Sequence, residues 1–300
     1  MLRIEHLTKT YGDKKAVDDL SLHICAGEIY GFIGHNGAGK TTTIKSCCGI
    51  LQFEEGEIYV DGVSIRENPI GCKRKIAYLP DNPDLYEFLS GVQYLNFIAD
   101  VYGVSKEERE RRIKEYADLF GLTEDLAQPI SAYSHGMKQK LALSCALIHR
   151  PDVLFLDEPT TGVDPVSRSE FWDMLDRLKR QGITILVSTP YMDEASRCDR
   201  IALVRSGECL SIDTPVGIRT SFDRRLYAVR CASMYKLLGD LREFPDTNSC
   251  FAFGDAHHLT LRRDGEDVMR RLQEYLKGKG YADVSIERLE PSVEDCFMAL

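Results

Sequence analysis

A chain of 300 residues, 43% hydrophobic and 28% charged, has room for one large domain or two ordinary ones and is too apolar to be disordered. A formal net charge of −9 argues against an unaided nucleic-acid or anionic-lipid binder, and the basic runs Lys73-Arg74-Lys75 and Arg109-Glu110-Arg111-Arg112 are short with acids nearby. Ten scattered cysteines without a CxxC pair predict free thiols in a reducing cytosol; the start, Met1 to His6, lacks the apolar stretch of a signal peptide, and no window nears the ~18 apolar residues of a bilayer span.

Taken in chain order, Ile29 to Ile33 reads as a short apolar strand ending at Gly34, and Lys40 onward as a helix carrying Ile44, Cys47, Cys48 and Leu51. Glu57 to Gly62 reads as an antiparallel strand with a turn. From Val92 to His149 apolar residues recur at steps of three and four, as in Tyr94, Phe97, Ile98, Val101 and Ile113, Tyr116, Ala117, Phe120, which predicts helices. Strands return at Val153 to Leu156, Ile183 to Val187 and Ile201 to Val204. A helix from Pro165 to Arg180 links the first two, and Gly182 marks its exit. Apolar strands alternating with helices predict a parallel sheet covered on both faces. Beyond Pro215 the order strand (Arg225 to Cys231), helix (Ser233 to Leu241), strand (Ser249 to Phe253), strand (His257 to Arg262), helix (Gly265 to Lys277), strand (Asp283 to Leu289) is that of a ferredoxin-like α+β unit.

Gly34-His35-Asn36-Gly37-Ala38-Gly39-Lys40-Thr41 matches G-x-x-x-x-G-K-[ST], and with Thr42 it forms a phosphate loop between a strand and a helix. Its glycines let backbone N–H groups converge on phosphate oxygens, and the helix N-terminus adds partial positive charge. Lys40 is expected to reach the β- and γ-phosphates of ATP, and the Thr41 hydroxyl to help hold Mg²⁺. The complement is Val153-Leu154-Phe155-Leu156-Asp157-Glu158, an apolar strand ending in two carboxylates at the ligand-binding edge of the sheet. Asp157 suits the Mg²⁺ shell, and Glu158 can orient and deprotonate an attacking water.

Between these motifs Tyr133-Ser134-His135-Gly136-Met137-Lys138-Gln139-Lys140 resembles the LSGGQ signature of ATP-binding-cassette (ABC) ATPases. The resemblance covers about residues 2–215. It implies a phosphate-loop fold with an antiparallel β-subdomain and a helical subdomain (about 89–150) in a nucleotide-binding domain spanning 1–215, with 216–300 as a small C-terminal accessory domain. It also implies that Ser134 and Gly136 contact the γ-phosphate of ATP held by a second nucleotide-binding subunit. Tyr11 would stack on adenine, and Asp164, in Thr161-Gly162-Val163-Asp164-Pro165, would be the acid of a loop crossing to that subunit. The tail from Glu290 to Leu300 looks like the extension of cassettes serving drug- and lipid-type exporters.

Three positions depart from the pattern. His135 replaces the first signature glycine, with little effect expected. Asp81 stands where a glutamine usually contacts Mg²⁺ and couples to the membrane subunit; a carboxylate can accept a bond from metal-bound water. Pro190 stands where a histidine usually contacts the γ-phosphate, and proline has neither a side-chain donor nor a backbone N–H. Two readings follow: hydrolysis is slowed while ATP binding persists, or Pro190 simply starts the helix of Tyr191 to Arg197 and Glu158 suffices. The expectation is an ATPase subunit of an ABC transporter of exporter type, peripheral on the cytoplasmic face through a separate permease. That permease would dock near a helical region from Asp81 to Leu89. The alternatives are a catalytically impaired partner cassette and a soluble, non-transport ABC ATPase.

Overall fold

In the computed structural model, which describes residues 1–300, the chain opens with two long antiparallel strands, β1 (Leu2–Tyr11) and β2 (Lys14–Ile24). Leu2, Ile4 and Leu7 on one strand, and Leu20, Leu22 and Ile24 on the other, are buried between exposed neighbours such as Arg3, Ser21 and His23. This period of two makes a sheet with one wet face. β3 (Ile29–Ile33) is buried at every residue and belongs to a different sheet. After α1 (Lys40–Cys47), strands β4 (Glu55–Val60) and β5 (Val63–Ser64) complete the first sheet in the order β2-β1-β4-β5. α2 (Pro69–Lys75) then leads into β6 (Ile76–Leu79).

Three helices follow: α3 (Gly91–Val101), α4 (Lys106–Phe120) and α5 (His135–Leu147), each begun by a serine whose hydroxyl accepts a first-turn N–H. The chain returns through β7 (Val153–Asp157), α6 (Pro165–Arg180), β8 (Thr184–Thr189), β9 (Arg200–Arg205) and β10 (Glu208–Asp213). The central sheet runs β10-β9-β3-β8-β7-β6, with all neighbours parallel except the β9–β10 edge pair. Gly34 to Gly39, Asp81, Glu158 and Pro190 therefore all leave the carboxyl ends of parallel strands, the edge at which such sheets bind ligands.

The chain divides into two compact units, Met1–Pro215 and Val216–Leu300. After α7 (Pro215–Thr220), the second unit contains β11 (Leu226–Arg230), α8 (Met234–Glu243), β12 (Thr247–Phe253), β13 (Ala256–Leu261), α9 (Glu266–Gly278), β14 (Ser285–Leu289) and α10 (Val293–Ala299). Its sheet is antiparallel throughout, in the order β12-β13-β11-β14. Leu237, Leu241, Leu259, Leu272 and Leu276 pack its separate core. No helix is long and apolar enough to cross a membrane.

Three local expectations need correction. The first helix stops at Cys47, because Gly49 turns the chain with φ +62°, so Cys48 is its C-cap and Leu51 lies outside it. The segment from Asp81 to Leu89 is irregular rather than helical. Pro83 lacks an N–H and biases Asn82 away from helical geometry, and the bonds from Ile130 N–H to the Leu89 carbonyl and from Ser131 N–H to the Glu87 carbonyl tie the strip down instead. After β8, Tyr191 is extended and a short 3₁₀ turn spans Met192–Arg197. Pro190 thus stands two residues ahead of that turn and does not begin it. The β1–β2 hairpin and β10 were not among the expected elements, although Leu20-Ser21-Leu22-His23-Ile24 carries the alternation of a half-buried strand.

Candidate active site

A cleft of ≈ 420 Å³ opens at the carboxyl edge of the central sheet. Tyr11, Lys14, Ala16, Asp81 and Glu158 line it together with Asn36, Gly37, Gly39, Lys40, Thr41 and Thr42. The loop floor is tightly made. A Cβ on Gly34 would stand 2.3 Å from the Val204 carbonyl oxygen, and one on Gly39, where φ is +101°, would stand 2.3 Å from that of Ala16. The Gly207 N–H donates to the Ala38 carbonyl at 3.0 Å, and the Asp18 N–H donates to the Gly207 carbonyl at 2.9 Å. β2 and the β9–β10 turn thereby brace the loop from outside. His35 is exposed in this loop, and Ala38 is buried beneath it.

α1 begins at Gly39 with no side-chain cap and no acid in its first turn. Its orphan N–H groups and dipole are left for an external anion, so the cradle fits phosphate. Lys40 is 3% exposed. Its ammonium donates to the carbonyls of Gly34 (2.8 Å) and His35 (3.1 Å) and pairs with Glu158 Oε1 at 3.0 Å.

Asp157 ends β7 and is nearly buried. Its Oδ1 accepts from Thr41 Oγ1 (3.0 Å) and Ser188 Oγ (2.7 Å), while Oδ2 has only a long Tyr78 hydroxyl contact at 3.5 Å. Burial pushes its carboxyl above the usual carboxylate range, the Ser188 and Thr41 hydroxyls oppose that rise, and the charges of Glu158 and Asp81 add to it. A cation would relieve this crowding. The donors, a hydroxyl and carboxylates, are the hard oxygens that suit Mg²⁺, which keeps waters and phosphates as its other ligands.

Glu158 takes a left-handed backbone, φ +48°, unusual for a residue with a Cβ. Its N–H donates to both the carbonyl and the hydroxyl of Ser188, each at 3.1 Å, and the Thr161 hydroxyl reaches its Oε2 at 3.4 Å. Such strain, of order 1–3 kcal/mol, persists only where the surroundings enforce it.

Tyr11 is half exposed at the mouth, with the Lys9 ammonium 5.2 Å from its ring centre. Pro190 is not among the lining residues. Neither are Ser134, Gly136 and Asp164. Ser134 caps α5, accepting from Met137 N–H at 3.3 Å, and Gly136 has open space where a Cβ would go. Asp164 caps α6 through the N–H groups of Val166 (3.0 Å) and Ser167 (3.1 Å), and the Ser167 contacts hold its carboxyl below the usual range. Sequence reasoning missed Lys14 and Ala16 in the lining and the contacts of Ser188 and Tyr78 with Asp157. A serine and a tyrosine inside strands carry no signal of such contacts.

A family model described as "ABC transporter" matches residues 17–161. The chain is 39% identical over 215 residues to the "Probable multidrug ABC transporter ATP-binding protein YbhF" of Escherichia coli, a match covering 72% of this chain but only 37% of that protein's length. It is 30% identical over 300 residues to the "Uncharacterized ABC transporter ATP-binding protein YhaQ" of Bacillus subtilis, covering 99% of this chain and 97% of that one. Among solved structures, an ATP-binding subunit of an ABC transporter superposes with a TM-score of 0.68 at 33% identity, over 74% of this chain and 93% of the other. A dimeric bacterial ABC transporter cassette shares the fold, with a TM-score of 0.65 at 24% identity over 71% and 98% of the two chains.

Proposed function

This chain belongs to the ATP-binding cassettes of ABC transporters, and from that membership we propose that it binds ATP between its own phosphate loop and the signature helix of a second cassette, hydrolyses it slowly, and powers export through a separate membrane chain. The observation that carries this reading is the convergence, in one cleft, of an uncapped helix N-terminus, the Lys40–Glu158 pair and the Thr41–Asp157 contact.

In this reading Lys40 exchanges the Glu158 carboxylate for the β- and γ-phosphates. Glu158, freed, takes a proton from a water that attacks the γ-phosphorus as the bond to ADP breaks. Thr41, Asp157 and Asp81 would hold Mg²⁺, which when bound neutralises phosphate charge. Tyr11 supplies a face for adenine. Ser134 and Gly136, on an exposed helix N-terminus away from their own cleft, suit the phosphate of an ATP held by the partner, and Asp164 lies on the loop toward it. Pro190 offers no donor to the γ-phosphate. Loss of one such contact costs about 2–4 kcal/mol of transition-state stabilisation, so hydrolysis is slower than a histidine would allow.

The membrane chain would seat beside α3. Tyr86, Phe88 and Phe97 are exposed there, Phe88 by 81%, next to a groove of ≈ 240 Å³ lined by Pro83, Leu85, Tyr94 and Tyr102. A drug-like cargo is supported by the multidrug designation of the Escherichia coli relative.

Phosphate release by the purified chain with Mg²⁺ and ATP tests the reading. Turnover should be low but measurable, and Pro190→His should raise it by about 30- to 1,000-fold. No ATP binding would overturn the functional reading, and binding with no gain from Pro190→His would overturn the slowing alone.

A further inference from the structure

In the parallel ladder between β7 and β8, Ser188 is the register partner of Asp157. The Ser188 side chain is fully buried, and its oxygen meets two groups: Asp157 Oδ1 at 2.7 Å and the Glu158 N–H at 3.1 Å. A hydroxyl has one hydrogen and two lone pairs. The carboxylate only accepts and the N–H only donates, so the hydrogen must go to Asp157 and a lone pair must face Glu158. One oxygen thus joins two of the site's three acidic residues, Asp157 and Glu158. It occupies one lone-pair direction of Asp157 Oδ1, leaving Oδ2 for other partners. It also supports the left-handed backbone of Glu158, whose φ is +48°.

Resting on the ATPase reading above, we infer that Ser188 is the positioning residue of this site: it acts through Asp157 on the metal and through the Glu158 backbone on the attacking water. Two residues later, Pro190 brings no side-chain donor, so among the Ser188 and Pro190 side chains only this hydroxyl reaches the site, beside the Ser188 carbonyl that also accepts the Glu158 N–H. The arrangement parallels the partners of metal ligands generally, whose loss lowers metal affinity or activity by about 10–100-fold.

The test uses the full chain and a fluorescent ATP analogue, titrated with Mg²⁺ and, separately, in EDTA. Ser188→Ala should bind the analogue in EDTA as the parent does, yet need about tenfold more Mg²⁺ for the half-maximal metal effect. Its kcat should fall with little change in KM. Ser188→Thr keeps the hydroxyl on a β-branched strand residue and should return both quantities toward parent values. Ser188→Cys, isosteric with a weaker donor, should fall between. Identical Mg²⁺ titrations for parent and Ser188→Ala would overturn the inference while leaving the ATPase reading intact. Equal losses in EDTA and in Mg²⁺, or no rescue by threonine, would mark Ser188 as ordinary packing and also overturn it. A parent that binds no nucleotide would instead remove the ATPase reading beneath it.

Discussion

Glu158 Oε1 lies 3.0 Å from the Lys40 ammonium, so on the proposed reading the base and the lysine compete with phosphate for each other. Glu158→Gln should therefore have two separable effects. Phosphate release should fall by about 10²–10⁴-fold, because amide nitrogen and oxygen cannot serve as the base. Nucleotide affinity should rise, because Lys40 no longer has a carboxylate to leave. Single-turnover phosphate release and equilibrium binding on the same sample check both; weaker binding in the variant would contradict the exchange of partners at Lys40. At this scale, contiguous motifs were legible: Gly34 to Thr42, and Asp157 with Glu158, carry their chemistry in their spacing. Ser188 and Tyr78 were not, because only the pairing of β7 with its neighbours on either side brings them to Asp157.

At the scale of elements, strand and helix periodicity located most of the central sheet, and Pro165 and Gly182 marked the two ends of α6. Prolines misled where they interrupted apolar residues: the pattern around Leu85, Tyr86 and Phe88 looked helical, yet Pro83 removes a donor and the strip pairs with Ile130 and Ser131 instead. In the second unit, the segment after α9 is pinned to α8. Tyr281 donates its hydroxyl to Asp240 at 2.6 Å and Lys279 pairs with it at 2.9 Å. These bonds, Tyr281 first, hold the Asp240 carboxyl below the usual range. A lowered carboxylate contributes stability that is present above its unfolded pKa of about 4 and is lost as pH falls through the lower folded value. Asp240→Asn should thus destabilise the chain by about 1–3 kcal/mol at pH 7. The gap from the parent should close as denaturant midpoints are measured at successively lower pH; a constant gap would mean that charge is irrelevant there.

For the molecule as a whole, composition argued for a folded chain without a bilayer-spanning helix, and the loss of texture after Pro215 marked where a second set of elements begins. Ser134 and Gly136, expected at the ATP of a second subunit, do not line this chain's own cleft; Ser134 caps α5 instead. The brace around the phosphate loop has a consequence for heat. The loop is shaped by Ala16 and Asp18 on β2 and by Gly207 between β9 and β10, so the binding-competent loop exists only while two different sheets are both intact. A ligand bound there acts as a staple across them, and mass action sets its strength: at one hundred times Kd it adds about 2.7 kcal/mol. Melting of Met1–Pro215 should accordingly shift upward with the logarithm of ATP concentration, in a calorimeter scan, and the same nucleotide should do nothing for a variant whose loop carries Gly39→Val.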